Sequence, residues 1–418
     1  MNKILNIENE KFSKIILYII FSIPVLLITG PFLPDLTLTI LSILFLIACF
    51  KNKIETKFLN KFKILFYFWV LILVSSIFSE NVYVSLIEST TLIRFILFSI
   101  LFCYLVEKFN HLEKLFYVLL GIFIVIAFDS YIQLFFGKNL LGFIKDDPKR
   151  LSGLFGDEYI LGSYLLKFFP IILFLCPNDP KKMNWLIIFY LIVIEPLIFF
   201  SGQRSQFIMS FFLVLGIFLI NYKNINFYIS FIICCVIILT NIFFNQKYNE
   251  RYIYDVKANF SFDSIIKSSP KSDEKVINFS IVSPSHTKIY FNSINMFKDK
   301  KMFGHGIKSY RFKCREYDLS ACTSHPHNFY LQILAETGLL VFIPLLIFYL
   351  IIIKEMSFLL FKNLFNINTN INKKYYACLN LLIVFFPFQT NGNIFNNYML
   401  IQLTFILSIY FISKSAND

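Results

Sequence analysis

The sequence predicts an all-α polytopic membrane protein with about twelve transmembrane helices and one large hydrophilic loop between the ninth and tenth. Three observations carry this. Of the 418 residues, 57% are hydrophobic and Phe alone supplies 54, more apolar surface than a water-soluble fold of this size needs. Apolar runs of roughly 15 to 25 residues recur along the chain, the length that crosses a bilayer as a helix. The basic residues then sort onto alternate connections. Phe, Ile, Lys, Asn and Tyr are also what A- and T-rich codons encode, so the net charge of +13 is not read as a nucleic-acid signal. No aromatic-and-basic module argues for a nucleic-acid partner.

The runs fall at 15–29, 35–50, 62–79, 90–106, 115–137, 159–176, 184–200, 203–221, 226–244, 329–353, 376–389 and 395–413. The first follows Lys3, Lys11 and Lys14 and has no small-residue cleavage site, so it reads as a retained span. Short cytoplasmic loops are enriched in Lys and Arg. With the N-terminus inside, the inside connections hold Lys51, Lys53, Lys57, Lys61 and Lys63, then Lys108 and Lys114, Lys181 and Lys182, and Lys223. Later come Lys354, Lys362, Lys373 and Lys374, with Lys414 in the tail. Short outside connections hold Asp35, Glu80 and Glu88. The alternation survives to the end and places both termini inside. The connection 138–158 is mixed, with Lys145, Asp146, Asp147, Lys149 and Arg150, and falls outside by continuity.

Three parts follow: 1–244 with nine spans, 245–326 as an outside loop domain, and 327–418 with the last three spans. Loops as long as 245–326 translocate regardless of charge, so its many Lys do not contradict the orientation. Four of the five His lie in or beside it: His286, His305, His325 and His327. Residues 261–285 are Ser- and Lys-rich, whereas the part from 286 onward mixes aromatics with Gly and reads as folded. Six of the eight Cys sit in or next to spans as small apolar fillers. Cys314 and Cys322, eight residues apart in the loop, are expected to form a disulfide in an oxidising compartment, pinning the segment that leads into His325 and His327. The spacing suits no structural zinc site, and no metal is expected.

The stretch "TSHPHNFYLQILAETG", 323–338, reads as a helix start. Pro326 suits the first helical position and Ser324 a cap. His327 then lies in the first turn, sharing a face with Leu331, Leu334 and Gly338. The positive helix end disfavours imidazolium, leaving a neutral ring that can act as a general base. The bland alternative is a helix-start His bonded to a loop. In "SGQRSQF" Arg204 opens a span after a short turn; it either snorkels to headgroups or faces an anion, for which guanidinium offers a fork geometry. Arg94, Asp129 and Glu195 are charges inside spans. Arg94 is near enough to an end to snorkel, Asp129 has Gln133 one turn on, and Glu195 is expected to pair with an Arg unless functional. Arg150 in "RLSGLFGDEYILGSYL" is read as facing the same outside cavity. "MFGHGIKSYRFKC", 302–314, brings Lys308 and Arg311 onto a backbone-permissive, basic segment suited to anions.

In this order the pieces resemble the O-antigen ligase and O-antigen polymerase superfamily, bacterial inner-membrane glycosyltransferases with about twelve helices and a large periplasmic loop. That family's late motif, a His followed by Asn, Ser or Gln and then Leu and Gly at set distances, reads here as His327-Asn328, Leu331 and Gly338. "FGHGIKSYRFKC" looks like its Gly-x-Gly-x-x-x-Phe/Tyr element, and Arg204 matches its span-opening arginine. "FDSYIQLFFGKNLLG", 128–142, is also similar, and the resemblance covers roughly residues 125 to 340. It implies His327 as the base and Arg204 as a contact to a lipid diphosphate. The family's second loop arginine is replaced by His286, leaving His286, Arg251, Lys288 and Arg311 as candidates for the second cation.

The implied reaction moves a glycan from undecaprenyl diphosphate to a hydroxyl of lipid A-core, with inversion and without nucleotide or metal, because the diphosphate is already a good leaving group. The bilayer holds the polyprenyl chain. A polymerase joining lipid-linked repeat units onto a glycan acceptor is the near alternative. A transporter or flippase is the alternative of another class, but it predicts inverted repeats and broken mid-membrane helices that the sequence does not display. A non-catalytic scaffold for glycan assembly is the third.

Overall fold

The protein's computed structural model describes residues 10–51, 56–109, 111–145, 147–260, 284–364 and 371–415. Lys3, Lys53, Asp146 and nearly all of the Ser- and Lys-rich stretch lie outside the described residues. The α-helices among the described residues are α1 (Glu10–Leu26), α2 (Phe32–Lys51), α3 (Thr56–Asn60), α4 (Lys63–Ile77), α5 (Val82–Thr91), α6 (Ile93–Phe109), α7 (Leu112–Phe136), α8 (Leu161–Leu175), α9 (Pro180–Phe189), α10 (Glu195–Phe200), α11 (Arg204–Asn221), α12 (Ile225–Phe244), α13 (Gln246–Asn249), α14 (Asp255–Phe260), α15 (Pro284–Asp299), α16 (Tyr310–Lys313), α17 (Phe329–Leu364), α18 (Ile371–Val384) and α19 (Asn397–Ser415). Each of the twelve apolar runs coincides with a helix. Among the described residues eight stretches are long and apolar enough to cross a membrane, while α4 and α8 are apolar but shorter. The chain is a multi-pass α-helical membrane protein.

Burial sorts these helices into centre and periphery. α8 is apolar nearly all round and every residue except Ser163 is buried, so it is the middle of the bundle. It packs against α7, α10, α11, α18 and α19. On α12, by contrast, Ile225, Ile232, Phe243 and Phe244 stand exposed, an apolar surface that lipid would cover. Close packing also uses a missing side chain: a Cβ on Gly216 of α11 would stand 2.4 Å from Leu379 of α18.

The charges inside spans have structural partners. Pro196 lacks an amide hydrogen, and the helix widens into a π-turn over Tyr190–Ile194 just before it. Glu195 then accepts hydrogen bonds from the Tyr190 and Ser210 hydroxyls, at 2.7 and 2.6 Å. The expected arginine partner is thus replaced by two hydroxyls on its own span and on α11. Asp129 accepts from the Leu140 amide and the Asn139 side chain, while Gln133 accepts from the Ser152 and Gly153 amides. Both therefore hold the α7–α8 connection. Arg94 pairs with Asp35 at 3.0 Å instead of snorkelling alone.

The loop domain docks on the short acidic connection between α4 and α5. Glu80 meets His305, Lys313 and Lys300 at 3.0, 3.1 and 3.4 Å, and Glu88 binds Lys308 at 2.5 Å. A second, small core of Ile289, Met296, Tyr310, Cys314 and Ala335 joins α15, α16 and α17. Cys314 and Cys322 are disulfide-bonded, with Cα atoms 5.2 Å apart. At Gly338 α17 breaks, with φ of 66°. The amides of Leu339 and Leu340, released by the kink, donate to Lys301 and Met302 carbonyls.

Candidate functional site

The connections α7–α8, α10–α11 and α18–α19, the turn between α13 and α14 that carries Arg251, and the segment before α17 meet at one end of the bundle. They enclose a cavity of about 1020 Å³. Among the described residues six cations line it, Arg150, Lys167, Arg204, Arg251, Lys308 and Arg311, against a single carboxylate, Glu158. Three imidazoles, His286, His325 and His327, complete the wall. All eight residues singled out from sequence for catalysis or substrate binding therefore border one space. Lys288, the other cation considered, is exposed and does not line it. His305 is buried away from the cavity, between Glu80 and the Met296 carbonyl.

Arg204 owes its place to the turn before it. Gly202 has φ of 68°, and a Cβ there would stand 2.5 Å from the Lys149 carbonyl and 2.9 Å from the Arg150 side chain. Gln203 takes the Ser163 amide of α8 on its side-chain oxygen at 2.9 Å. Arg251 donates two hydrogen bonds, at 3.0 and 2.7 Å, to the Gly202 carbonyl. The Ser205 hydroxyl accepts from the Thr390 amide at 3.1 Å. The first turn of α11 lines the cavity, adding its positive end to the guanidinium.

The cations divide by what they touch. Lys308 is neutralised by Glu88, and Arg251 is spent on Gly202 with Asp255 nearby at 4.0 Å. Arg150 lies over the Tyr159 ring at 4.1 Å, and burial, then the Arg251 charge, pull its pKa down. Arg311 lies over Phe312 and is exposed. Arg204 and Lys167 form no ion pair among the described residues.

His327 departs from the expected helix start. α17 begins at Phe329, and its cap is Asn328, whose side-chain oxygen accepts the Leu331 amide at 3.1 Å. Ser324 bonds His325 instead, at 2.9 Å. His327 thus precedes the cap, with φ of 56°, and does not share the face of Leu331, Leu334 and Gly338. Asn328 is the stronger cap here because its amide also donates to the Pro387 carbonyl at 2.6 Å, locking the α18–α19 connection to the helix. The Asn391 amide holds the His327 carbonyl at 2.8 Å. One and two turns on, Gln332 and Glu336 continue a buried polar stripe: Gln332 grips Asn393 and Ile394, and Glu336 accepts the Tyr310 amide.

The three imidazoles cluster, with His327 5.5 Å from His286 and 4.1 Å from His325 between ring centroids. Burial and then the neighbouring His286 lower the His327 pKa. Burial and then Arg204 lower that of His286, and burial and His327 lower His325 to about 4. In all three rings the surroundings favour the neutral form. Neither nitrogen of His327 has a hydrogen-bond partner among the described residues, so a half-buried imidazole faces a cationic cavity.

Lys167 was missed by the reading of the sequence. Its signal is a lone Lys within "SYLLKFFPIILFL", an intramembrane charge of the kind that marks function.

The fold and cavity define a class: a multi-pass helical membrane protein with a cation-lined cavity at one end of the bundle. Residues 187–346 match a family model described as O-antigen ligase, so this part of the chain is similar to that family. That stretch holds Arg204, the Gly304–Gly306 segment and His327, whereas 128–142, similar by sequence reading, lies outside it. No curated protein matches the sequence significantly.

Proposed function

We propose that the protein is an O-antigen ligase-type glycosyltransferase of the bacterial inner membrane, with its cavity on the periplasmic side and both termini cytoplasmic. It moves a glycan from undecaprenyl diphosphate to an acceptor hydroxyl of lipid A-core. One observation carries this reading: among the described residues six cations against one carboxylate line a cavity that also holds an unbonded imidazole whose surroundings favour the neutral form. His327 takes the proton of the acceptor hydroxyl as its oxygen attacks the anomeric carbon. The bond from that carbon to the diphosphate oxygen breaks, and Arg204 and a second cation offset the charge that builds there. One displacement inverts the carbon. No metal is required, since fixed cations do the work of charge neutralisation. An oxidising periplasm suits the Cys314–Cys322 bond.

The test is transfer by purified protein from a lipid-linked donor to acceptor. His327→Ala is expected to reduce the rate by about 10²–10⁴; transfer at the wild-type rate sinks the base assignment. Lipopolysaccharide from a deletion strain separates ligase from polymerase. Bare core with long lipid-linked chains marks a lost ligase, and core bearing one repeat unit marks a lost polymerase.

A further inference from the structure

Lys167 lies in α8, the most buried helix of the bundle, and is itself only 3% exposed, yet it borders the cavity. Its ammonium carries three N–H donors and finds the Gln402 side-chain oxygen at 3.0 Å and the Met399 sulfur, a weak acceptor, at 3.1 Å. No carboxylate pairs with it among the described residues. Taking a cation out of water without an opposing charge is costly, so the fold keeps here a group that weakens it. Ser163, one turn nearer the start of α8, gives its amide to Gln203, the residue before Arg204. Lys167 therefore sits about 6 Å along α8, roughly one helical turn, from the residue that holds the Arg204 turn.

The other cations are accounted for. Glu88 neutralises Lys308, Gly202 occupies Arg251, Arg150 is stacked on Tyr159, and Arg311 stands exposed over Phe312. From this we infer that Lys167, with Gln402, forms the second anionic subsite, taking one phosphoryl group of a lipid diphosphate while Arg204 takes the other. The inference rests on the proposed diphosphate donor and names the cation that sequence comparison left open. Gln402 contributes the acceptor that aims the ammonium. Two separate cationic subsites give a preference for diphosphate over monophosphate, because a monophosphate fills only one.

Purified full-length protein in detergent is titrated calorimetrically with farnesyl diphosphate and farnesyl monophosphate, alongside Lys167→Met and Lys167→Gln. Gln removes the charge and keeps an N–H donor, on a side chain one bond shorter, whereas Met removes the donor as well. Wild type is expected to favour the diphosphate by about tenfold, the worth of one charge-assisted contact, and both variants to lose that preference. Thermal stability of the variants is expected to equal or exceed wild type, since a desolvated charge is gone. If Lys167 is a structural strut, stability falls and both ligands weaken alike, which overturns the assignment. Unchanged preference in stable variants also overturns it while leaving the proposed function standing. If wild type binds neither ligand, the diphosphate reading itself fails.

Discussion

His327 stands at a φ that only a few per cent of non-Gly residues adopt, held there because Asn328 caps the helix after it and Asn391 grips its carbonyl. Its pKa is lowered by burial first and His286 second. The base form therefore persists to lower pH than for an ordinary imidazole. The acid limb of the transfer rate is expected below about pH 6.5, the unperturbed value, and His286→Asn should move it upward by removing the second cause. A limb above that value would contradict a neutral His327. Arg204→Lys keeps charge but loses the fork, and the rate in the transfer assay should fall by about 10²-fold. Residue types made His327, Arg204 and the loop cations legible from sequence, because imidazole and guanidinium are scarce in apolar chains. What they touch was not legible. The Lys308–Glu88 and Arg251–Gly202 contacts and the Lys167–Gln402 bond join residues 49 to 235 apart, and no local pattern encodes them.

The all-α, multi-pass class was legible because bilayer thickness sets the length of an apolar run, although eight stretches among the described residues, rather than twelve, are long and apolar enough to cross a membrane. The start of α17 was not, because Ser324 and Pro326 imitate a cap and a first turn three to four residues too early. Tertiary bonds to 387–394 decide for Asn328 instead. The Gly residues of the same region show why element and loop must be read together. A Cβ on Gly304 would meet the Glu336 backbone at 2.4 Å, and one on Gly338 would meet the Met302 carbonyl at 2.4 Å, each at positive φ. The two backbones lie in contact, which places Lys308 and Arg311 over the cavity. Gly338→Ala is therefore expected to destabilise the loop by about 2 kcal/mol or more and to abolish transfer with it. Thermal denaturation and limited proteolysis of the 300–326 segment measure this. A variant with wild-type melting and intact proteolytic protection would mean the kink is not required.

At the scale of the molecule, the acidic short connections serve the basic loop. Glu80 and Glu88 meet its cations, but such partly exposed pairs are worth only about 0–1 kcal/mol each, so they do not by themselves hold the loop down. The small core around Tyr310 and the backbone bonds to α17 do that. What Glu88 controls is the field: by neutralising Lys308 it trims the charge of a cavity already lined, among the described residues, by six cations and one carboxylate. Glu88→Gln should leave melting nearly unchanged and free Lys308 for an anion. Farnesyl diphosphate would then bind more tightly at low salt, by roughly the few-fold change that one part-exposed charge contributes. The advantage should vanish as ionic strength shortens the Debye length to about 8 Å near 0.15 M. An affinity that falls, or a gain that salt does not erase, would show that Lys308 is held for packing and that the cavity's charge is not what attracts the ligand.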